Sequence, residues 1–340
     1  MDILQTLLNQ GKKQKFSAWQ IELTTRCPLL CTMCIKEEYK IEHHRDMHIN
    51  DFKKILPYLK DVENVVLEGW GESLLHKDLI ECIRLVKQEG ARAGFVTSGA
   101  GLTDEYAAKL ISAEVDFIGF SLAGATPETH NAIRVNSDFH TLINSIKFFG
   151  KPAGKHKFFR KPAVHIDYLM LKENIDELPI LIDLAEEMGI HEIILLNIIQ
   201  ISNSFQNRGK VFTCNNREPY KELMKKVVKR AGQLNIRLTV PNLTPCRTAV
   251  CSENPLKNIY ISVEGSVSPC VYLYPPVPGQ FKKIFCDKEY VAEKVSFGNI
   301  FQEPFDSIWN KKEYTDFRNC FTKKQYLPQP CMTCHKILGF

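Results

Sequence analysis

The sequence predicts an α/β fold: a partial (β/α)6 barrel followed by a small cysteine-rich C-terminal domain made of a β-hairpin and a helix. Three observations carry this expectation. Apolar strand-like runs alternate with helical patterns through the first two-thirds of the chain, the texture of a parallel sheet under helices. Successive right-handed crossovers curl such a sheet toward a barrel, which keeps its chemistry at the C-terminal ends of the strands. Past residue 210 the alternation stops, and seven of the twelve cysteines, at 246, 251, 270, 286, 320, 331 and 334, fall in the proline-rich remainder.

Six buried strands are expected at WQIEL (19–23), NVVLEG (64–69), RAGFVTS (92–98), VDFIGFSL (115–122), AVHIDYLML (163–171) and EIILLNIIQ (192–200). Helical patterns fill 50–60, 77–89, 103–113, 139–149 and 176–188 between them. Their punctuation is consistent: Asn50 or Asp51 and Thr103 stand at N-termini, and Gly90 and Gly189 follow C-termini. The chain divides into an extension (1–18), the barrel (19–210), a bridging helix and strand (211–245) and the C-terminal domain (246–340). In that domain NIYISVEGSVSPCVYLY (258–274) reads as a hairpin turning at Gly265.

Composition limits the chemistry. A chain of 340 residues, 44% hydrophobic and 24% charged, is ordinary globular material. The start, MDILQTLLNQGKKQKFSAW, is too polar for a signal peptide, and no run of about 18 apolar residues suggests a membrane span. The expected location is the cytoplasm, with no membrane partner. A formal charge of +5 is mild, and the basic runs GKKQK (11–15) and KHKFFRK (155–161) read as solvated surface rather than a nucleic-acid site. Twelve cysteines in a reducing compartment point to metal ligation or redox chemistry, not structural disulfides.

TTRCPLLCTMC places Cys27, Cys31 and Cys34 in a C-x3-C-x2-C pattern directly after the first strand. A structural zinc site asks for four ligands and a disulfide framework for an even number. Four irons of an iron–sulfur cluster held by three thiolates leave one iron free for an exogenous chelator. The triplet resembles the signature of the radical S-adenosylmethionine (radical SAM) superfamily, whose open iron is chelated by the methionyl group of SAM in a TIM-like partial barrel.

Other stretches fall where that family has them. EGWGE (68–72) resembles the Gly-Gly-Glu motif that receives the SAM amino group, which implicates Gly69, Trp70, Gly71 and Glu72. FVTSGAGL (95–102), with Ser98, resembles the third-strand segment, and GFSLAGATPETHNAIR (119–134) the fourth. There the resemblance implies that Ser121 and Arg134 contact the ribose and carboxylate of SAM.

Cys251-x13-Gly265-x4-Cys270 and the terminal Cys331-x2-Cys334 resemble the SPASM and shorter twitch domains appended to many radical SAM enzymes. FGNIFQEPFDSIWNKKEYTDFRNCF (297–321) resembles the helix-containing link before their last cysteines. The resemblance implies one auxiliary [4Fe–4S] cluster on Cys251, Cys270, Cys331 and Cys334, with zinc as the alternative occupant of a four-cysteine site. The chain ends six residues after Cys334, so a second auxiliary cluster is not expected. Cys246 or Cys320 is a possible replacement for one ligand. Cys82 reads as core, and Cys214, Cys286 and Cys320 as free thiols, with hydrogen-atom donation as the alternative.

The implied activity is reductive cleavage of SAM to a 5′-deoxyadenosyl radical, which abstracts hydrogen from a substrate C–H bond. The auxiliary cluster would accept an electron, relay one, or serve structure. The resemblance favours maturation of a peptide or protein, although no N-terminal leader-binding domain is expected before the first strand. Oxidation or rearrangement of a small molecule or cofactor precursor is the alternative. A reducing partner such as flavodoxin or ferredoxin is implied. A reading of another class is a non-catalytic iron–sulfur or zinc protein that binds nucleic acid, recognisable by salt-sensitive binding.

Overall fold

Apolar side chains on every second residue divide each barrel strand into an outer and an inner row. In β1 (Phe16–Ile21) Trp19 and Ile21 are fully buried under the helices, while Ala18 and Gln20 line an interior cavity. The computed structural model describes residues 15–41, 44–150, 161–215, 217–323 and 326–340. Apart from Lys15 and Lys161, the two basic runs noted above lie outside the described residues.

The strands after β1 are β2 (Leu30–Cys31), β3 (Val62–Val66), β4 (Arg92–Thr97), β5 (Phe117–Leu122), β6 (Arg134–Val135), β7 (Ala163–Met170), β8 (Glu192–Asn197), β9 (Arg237–Thr239), β10 (Asn258–Ile261) and β11 (Val267–Ser268). A hairpin of β12 (Phe281–Phe285) and β13 (Lys288–Ala292) follows. The main sheet has the order β11-β10-β1-β3-β4-β5-β7-β8-β9. The six expected strands stand side by side in it, all parallel, as β1, β3, β4, β5, β7 and β8. It also runs further than six strands. β9 adds in parallel to β8, and β10 adds in parallel to β1 with Ala18 opposite Asn258 and Ile21 opposite Ile261. The hairpin of the C-terminal region therefore extends the barrel sheet, and Gly265, at φ +85°, makes its turn.

Several elements differ from expectation for local reasons. The 50–60 helix is α-helical over Ile49–Ile55 and then 3-10 over Leu56–Asp61, because Pro57 lacks the N–H that would continue the α ladder. Two short helices, Pro127–Ile133 and Ser204–Gly209, lack a long enough apolar stripe to announce themselves. The β12–β13 hairpin turns at Cys286 and Asp287, both at positive φ, where asparagine and glycine would have been the sequence signal. Under β1, Phe16 and Trp19 pack against Phe305 and Trp309 of the helix Phe305–Asn310, with ring centroids 4.6 to 5.6 Å apart. No helix of the described residues is long and apolar enough to cross a membrane.

Candidate active site

The cysteine loop leaves the C-terminal end of β1 and is tied down at both ends. Arg26 clamps Asp46 through Nε (2.9 Å) and Nη2 (2.7 Å), and Nη2 also donates to the Leu75 carbonyl. Cys31 lies on β2, directly opposite Arg134 of β6, and the Arg134 Nη1 is 4.0 Å from the Cys31 Sγ. Cys34 caps the short helix Ile35–Tyr39, in which buried Lys36 donates to the Thr25 carbonyl at 2.6 Å. Burial pushes all three thiols up, that of Cys34 to about 11. Lys36 opposes this at each thiol, and Arg134 at Cys31. Two fixed cations beside three thiols suit an anionic cluster. Lys36 was not singled out from sequence, since its charge sits in a short polar helix.

EGWGE packs against this loop, and the Glu72 N–H donates to the Arg26 carbonyl at 2.7 Å. Its glycines are needed for close backbone approach to the protein itself: a Cβ on Gly69 would drive into Glu22, and one on Gly71 into the Thr24 and Arg26 carbonyls. The Glu72 carboxylate is fully engaged. Oε1 accepts from Thr97 Oγ1 (2.7 Å) and the Leu74 N–H (3.2 Å), and Oε2 from the Ser98 N–H (2.8 Å) and Ser98 Oγ (2.5 Å). Ser98 thus holds Glu72, and both shape the loop. Glu22, missed in the sequence because it lies in an apolar run, accepts from the Trp70 N–H (2.8 Å) and the Val263 N–H (3.2 Å). Burial raises its carboxyl above the ordinary range.

Ser121 stands part-buried at the end of β5, and the chain beyond it is folded around His130. The Ala123 N–H donates to His130 Nδ1 at 3.3 Å and Nε2 meets Ser137 Oγ at 3.0 Å, so the ring is neutral. Burial, then Arg134, hold its pKa down to about 3.

The four C-terminal cysteines lie near one another, Cys334 buried and Cys251, Cys270 and Cys331 half-buried. Cys251, Cys331 and Cys334 all act on Cys270, whose thiol is raised by burial and, next, by Glu253 and these neighbours. Cys251 is pushed up to about 11 by burial and then by Cys334. Lys336 fastens the two cysteine-bearing segments together, reaching Glu253 at 3.0 Å and Ser252 Oγ at 3.2 Å. Cys246 is exposed, and Cys320 donates to the Asp316 carbonyl within its own helix.

Between the two thiol regions lies a cavity of about 540 Å³ inside the sheet. Gly69 and Trp70 line it from the barrel, and Cys270 and Tyr272 from the C-terminal region. Glu68, His165, Asp167 and Glu253 also face it. His165 and Asp167 pair at 3.5 Å, and this raises the imidazole although burial opposes its charge. Among the described residues the Glu68 carboxylate has no hydrogen-bond or ion-pair partner. Burial, and then Asp167, Glu72 and Glu253, push its carboxyl up to about 8.

Two sequence expectations need correction and one holds. Cys214 and Cys286 are not free thiols but a disulfide, their Cα atoms 5.5 Å apart where the β12–β13 turn meets the 210–215 segment. That Cys286 is in the turn was hidden because the hairpin itself was not anticipated. Cys82 is fully buried core.

Residues 21–185 match the family model of the radical SAM superfamily, and residues 251–335 that of the SPASM iron–sulfur cluster-binding domain. The chain belongs to the radical SAM superfamily. As a radical SAM enzyme of the SPASM subgroup it uses SAM and [4Fe–4S] clusters, which displaces the non-catalytic nucleic-acid-binding reading. It is 27% identical over 325 residues to a tungsten-containing aldehyde ferredoxin oxidoreductase cofactor-modifying protein of Pyrococcus furiosus, covering 92% of this chain and 86% of that one. It is 24% identical over 320 residues to the PqqA peptide cyclase of Streptomyces rochei, covering 92% and 80%. Among solved structures, Streptococcus suis SuiB bound to S-adenosylmethionine superposes with a TM-score of 0.66 at 14% identity, covering 98% of this chain and 74% of that one. The anSMEcpe structure with bound AdoMet superposes at 0.64 and 13%, covering 95% and 88%.

The residues present fit these groups. Seven thiols stand in a three and a four, and the buried Arg134 Nε and Trp70 Nε1 have no partner among the described residues.

Proposed function

We propose that Cys27, Cys31 and Cys34 hold the SAM-cleaving cluster, that Cys251, Cys270, Cys331 and Cys334 hold one auxiliary [4Fe–4S] cluster, and that the enzyme matures a peptide or protein. The observation that carries this reading is the cavity whose wall includes both the EGWGE loop and Cys270. When bound, reduced cluster and SAM together supply a 5′-deoxyadenosyl radical, which takes hydrogen from a substrate C–H bond.

The chain's own residues position and shield. Arg134 and Lys36 offset the charge of the first thiol trio, and the free N–H groups of Arg134 and Trp70 are donors for SAM. The apolar cavity of about 440 Å³ beside Met33, Ile133 and Ile198 is the place we assign to its adenosine. In the central cavity Glu68 offers a carboxyl tuned near neutrality, suited to hold a substrate amine or to move a proton. A volume of about 540 Å³ suits one side chain or a short loop of a peptide rather than a folded partner. The peptide-cyclase relative supports the peptide reading, and the cofactor-modifying relative supports the second reading, oxidation or rearrangement of a small molecule or cofactor precursor. A flavodoxin or ferredoxin supplies the electron.

Reconstituted anaerobically and reduced, the enzyme should release 5′-deoxyadenosine, and Cys27→Ala, Cys31→Ala or Cys34→Ala should each abolish release. Wild type should carry about eight irons and the triple alanine variant about four. An active Cys34→Ala enzyme refutes the trio, and loss of every iron in the triple variant refutes the auxiliary quartet.

A further inference from the structure

Outside both thiol regions, a third group of metal-ligating side chains comes together from three distant parts of the chain. The Cys214 and Cys286 sulfurs and a ring nitrogen of His335 all lie within 4.8 Å of one another. Cys214 follows the helix Ser204–Gly209, Cys286 opens the turn of the β12–β13 hairpin, and His335 is the neighbour of Cys334. His335 is fully buried, its ring wedged between Phe212 and Phe285 at centroid distances of 4.9 and 5.1 Å. Nδ1 faces the Ile199 carbonyl at 3.5 Å, and Nε2 faces the Cys286 N–H at 3.4 Å. With the proton on Nδ1 toward that carbonyl, the tautomer that metal-bound histidines adopt, the Nε2 lone pair accepts a long bond from the Cys286 N–H, which an ion at the sulfurs would replace. The two cysteines border an open cavity of about 740 Å³, which gives a reductant and an ion a way in.

The disulfide seen here is one of two states that these side chains support. Iron–sulfur chemistry on this enzyme proceeds under reduction. A dithiol reductant cleaves the S–S bond by exchange, leaving two thiols on the protein and a disulfide on the reductant. Two thiols and an imidazole at this spacing are a ligand set for a zinc-class divalent ion, which displaces the two thiol protons when it binds.

We propose that in the reduced enzyme Cys214, Cys286 and His335 bind one zinc-class divalent ion, with water as the fourth ligand, and that the disulfide is the metal-free state of the same site. The disulfide joins only the 210–215 segment to the hairpin. The metal also fastens His335, so the segment carrying Cys331 and Cys334 is pinned by redox state.

The test offers zinc to the cluster-reconstituted enzyme with and without dithiothreitol, removes unbound metal, and records zinc K-edge X-ray absorption together with zinc and iron content. Expected is about one zinc per chain after reduction, with two sulfurs at ~2.3 Å and nitrogen or oxygen at ~2.0 Å, and no such shell before it. Cys214→Ser and His335→Gln should each lose the zinc and keep the iron. Absence of zinc from the iron-replete reduced wild type overturns the proposal. So does a four-sulfur shell, which would put the zinc in the cysteine quartet, or the two-sulfur shell appearing without reductant. The wild-type spectrum decides the matter even if a variant fails to fold.

Discussion

Replacing Glu72 by glutamine removes one oxygen and adds one N–H₂ in a space that has no use for it. Both carboxylate oxygens face a backbone donor: Oε1 the Leu74 N–H and Oε2 the Ser98 N–H. Hydroxyls of Thr97 and Ser98 can rotate to accept instead of donate, but a backbone N–H cannot. Flipping the amide therefore only exchanges which backbone group confronts an N–H₂. The side chain is buried, so water does not compensate. Losing one charge-assisted bond and leaving its donor opposed should cost about 2–4 kcal/mol. With a urea slope of about 3 kcal/mol/M, the unfolding midpoint of Glu72→Gln should fall by about 1 M at unchanged slope. Ser98→Ala, which removes one hydroxyl donor and leaves both backbone donors paired with the carboxylate, is the milder control. A Glu72→Gln midpoint equal to wild type would show that the carboxylate is not held as described.

Two further outcomes concern pH. His130 titrates at about 3 in the fold against an ordinary 6.5, so its contribution is complete above 6.5 and is lost at about 1.4 kcal/mol per unit as pH falls through that window. The unfolding free energy of His130→Gln, followed by urea titration from about pH 7 to pH 4, should depend on pH less steeply than wild type by one proton, and equal slopes would refute the buried neutral ring. Glu68 is shifted the opposite way for a carboxyl, up to about 8 from 4.5, so the folded protein favours its neutral form and is penalised as pH rises through that interval. The full shift sets a ceiling near ~5 kcal/mol, which cavity water should cut to about 1–2. Glu68→Gln should therefore match wild type near pH 4.5 and exceed its melting temperature above pH 8. A variant less stable at high pH would mean that Glu68 has a cation partner.

The first thiol trio was legible because its members are sequence neighbours, so spacing alone displays the ligand set. The barrel strands were legible because buried parallel strands are continuous apolar runs bounded by helices of clear period. What surrounds the trio was not. Arg134 was named by resemblance as a SAM contact, but its place beside Cys31, 103 positions away across a ladder of two residues per strand, left no pattern in either short strand. Glu22, Lys36 and Glu68 are single charges inside apolar or short polar segments, where sequence does not tell an inward from an outward side chain. The β12–β13 hairpin, FKKIFCDKEYVA, alternates with lysine and lacks the usual turn residues, so the partner of Cys214 was invisible with it.

The pairing of β10 with β1 changes how the C-terminal region is understood. A domain attached by a linker would lose its cluster without consequence for the barrel. Here the ladder from Ala18–Asn258 to Ile21–Ile261 makes β10 a wall of the barrel itself. Glu22, one residue past the end of β1, takes N–H groups from Trp70 on one side and Val263 on the other, joining the EGWGE loop to the auxiliary hairpin through one buried carboxylate. Arg45 pairs with Glu264 of that hairpin's turn, and Phe305 and Trp309 fill the space beneath Phe16 and Trp19. These contacts tie the two regions together around the central cavity rather than across a solid core. Through Glu22 the hairpin that leads to Cys270 and the Trp70 backbone share one buried hydrogen-bond acceptor, which is the direct structural link between the two regions.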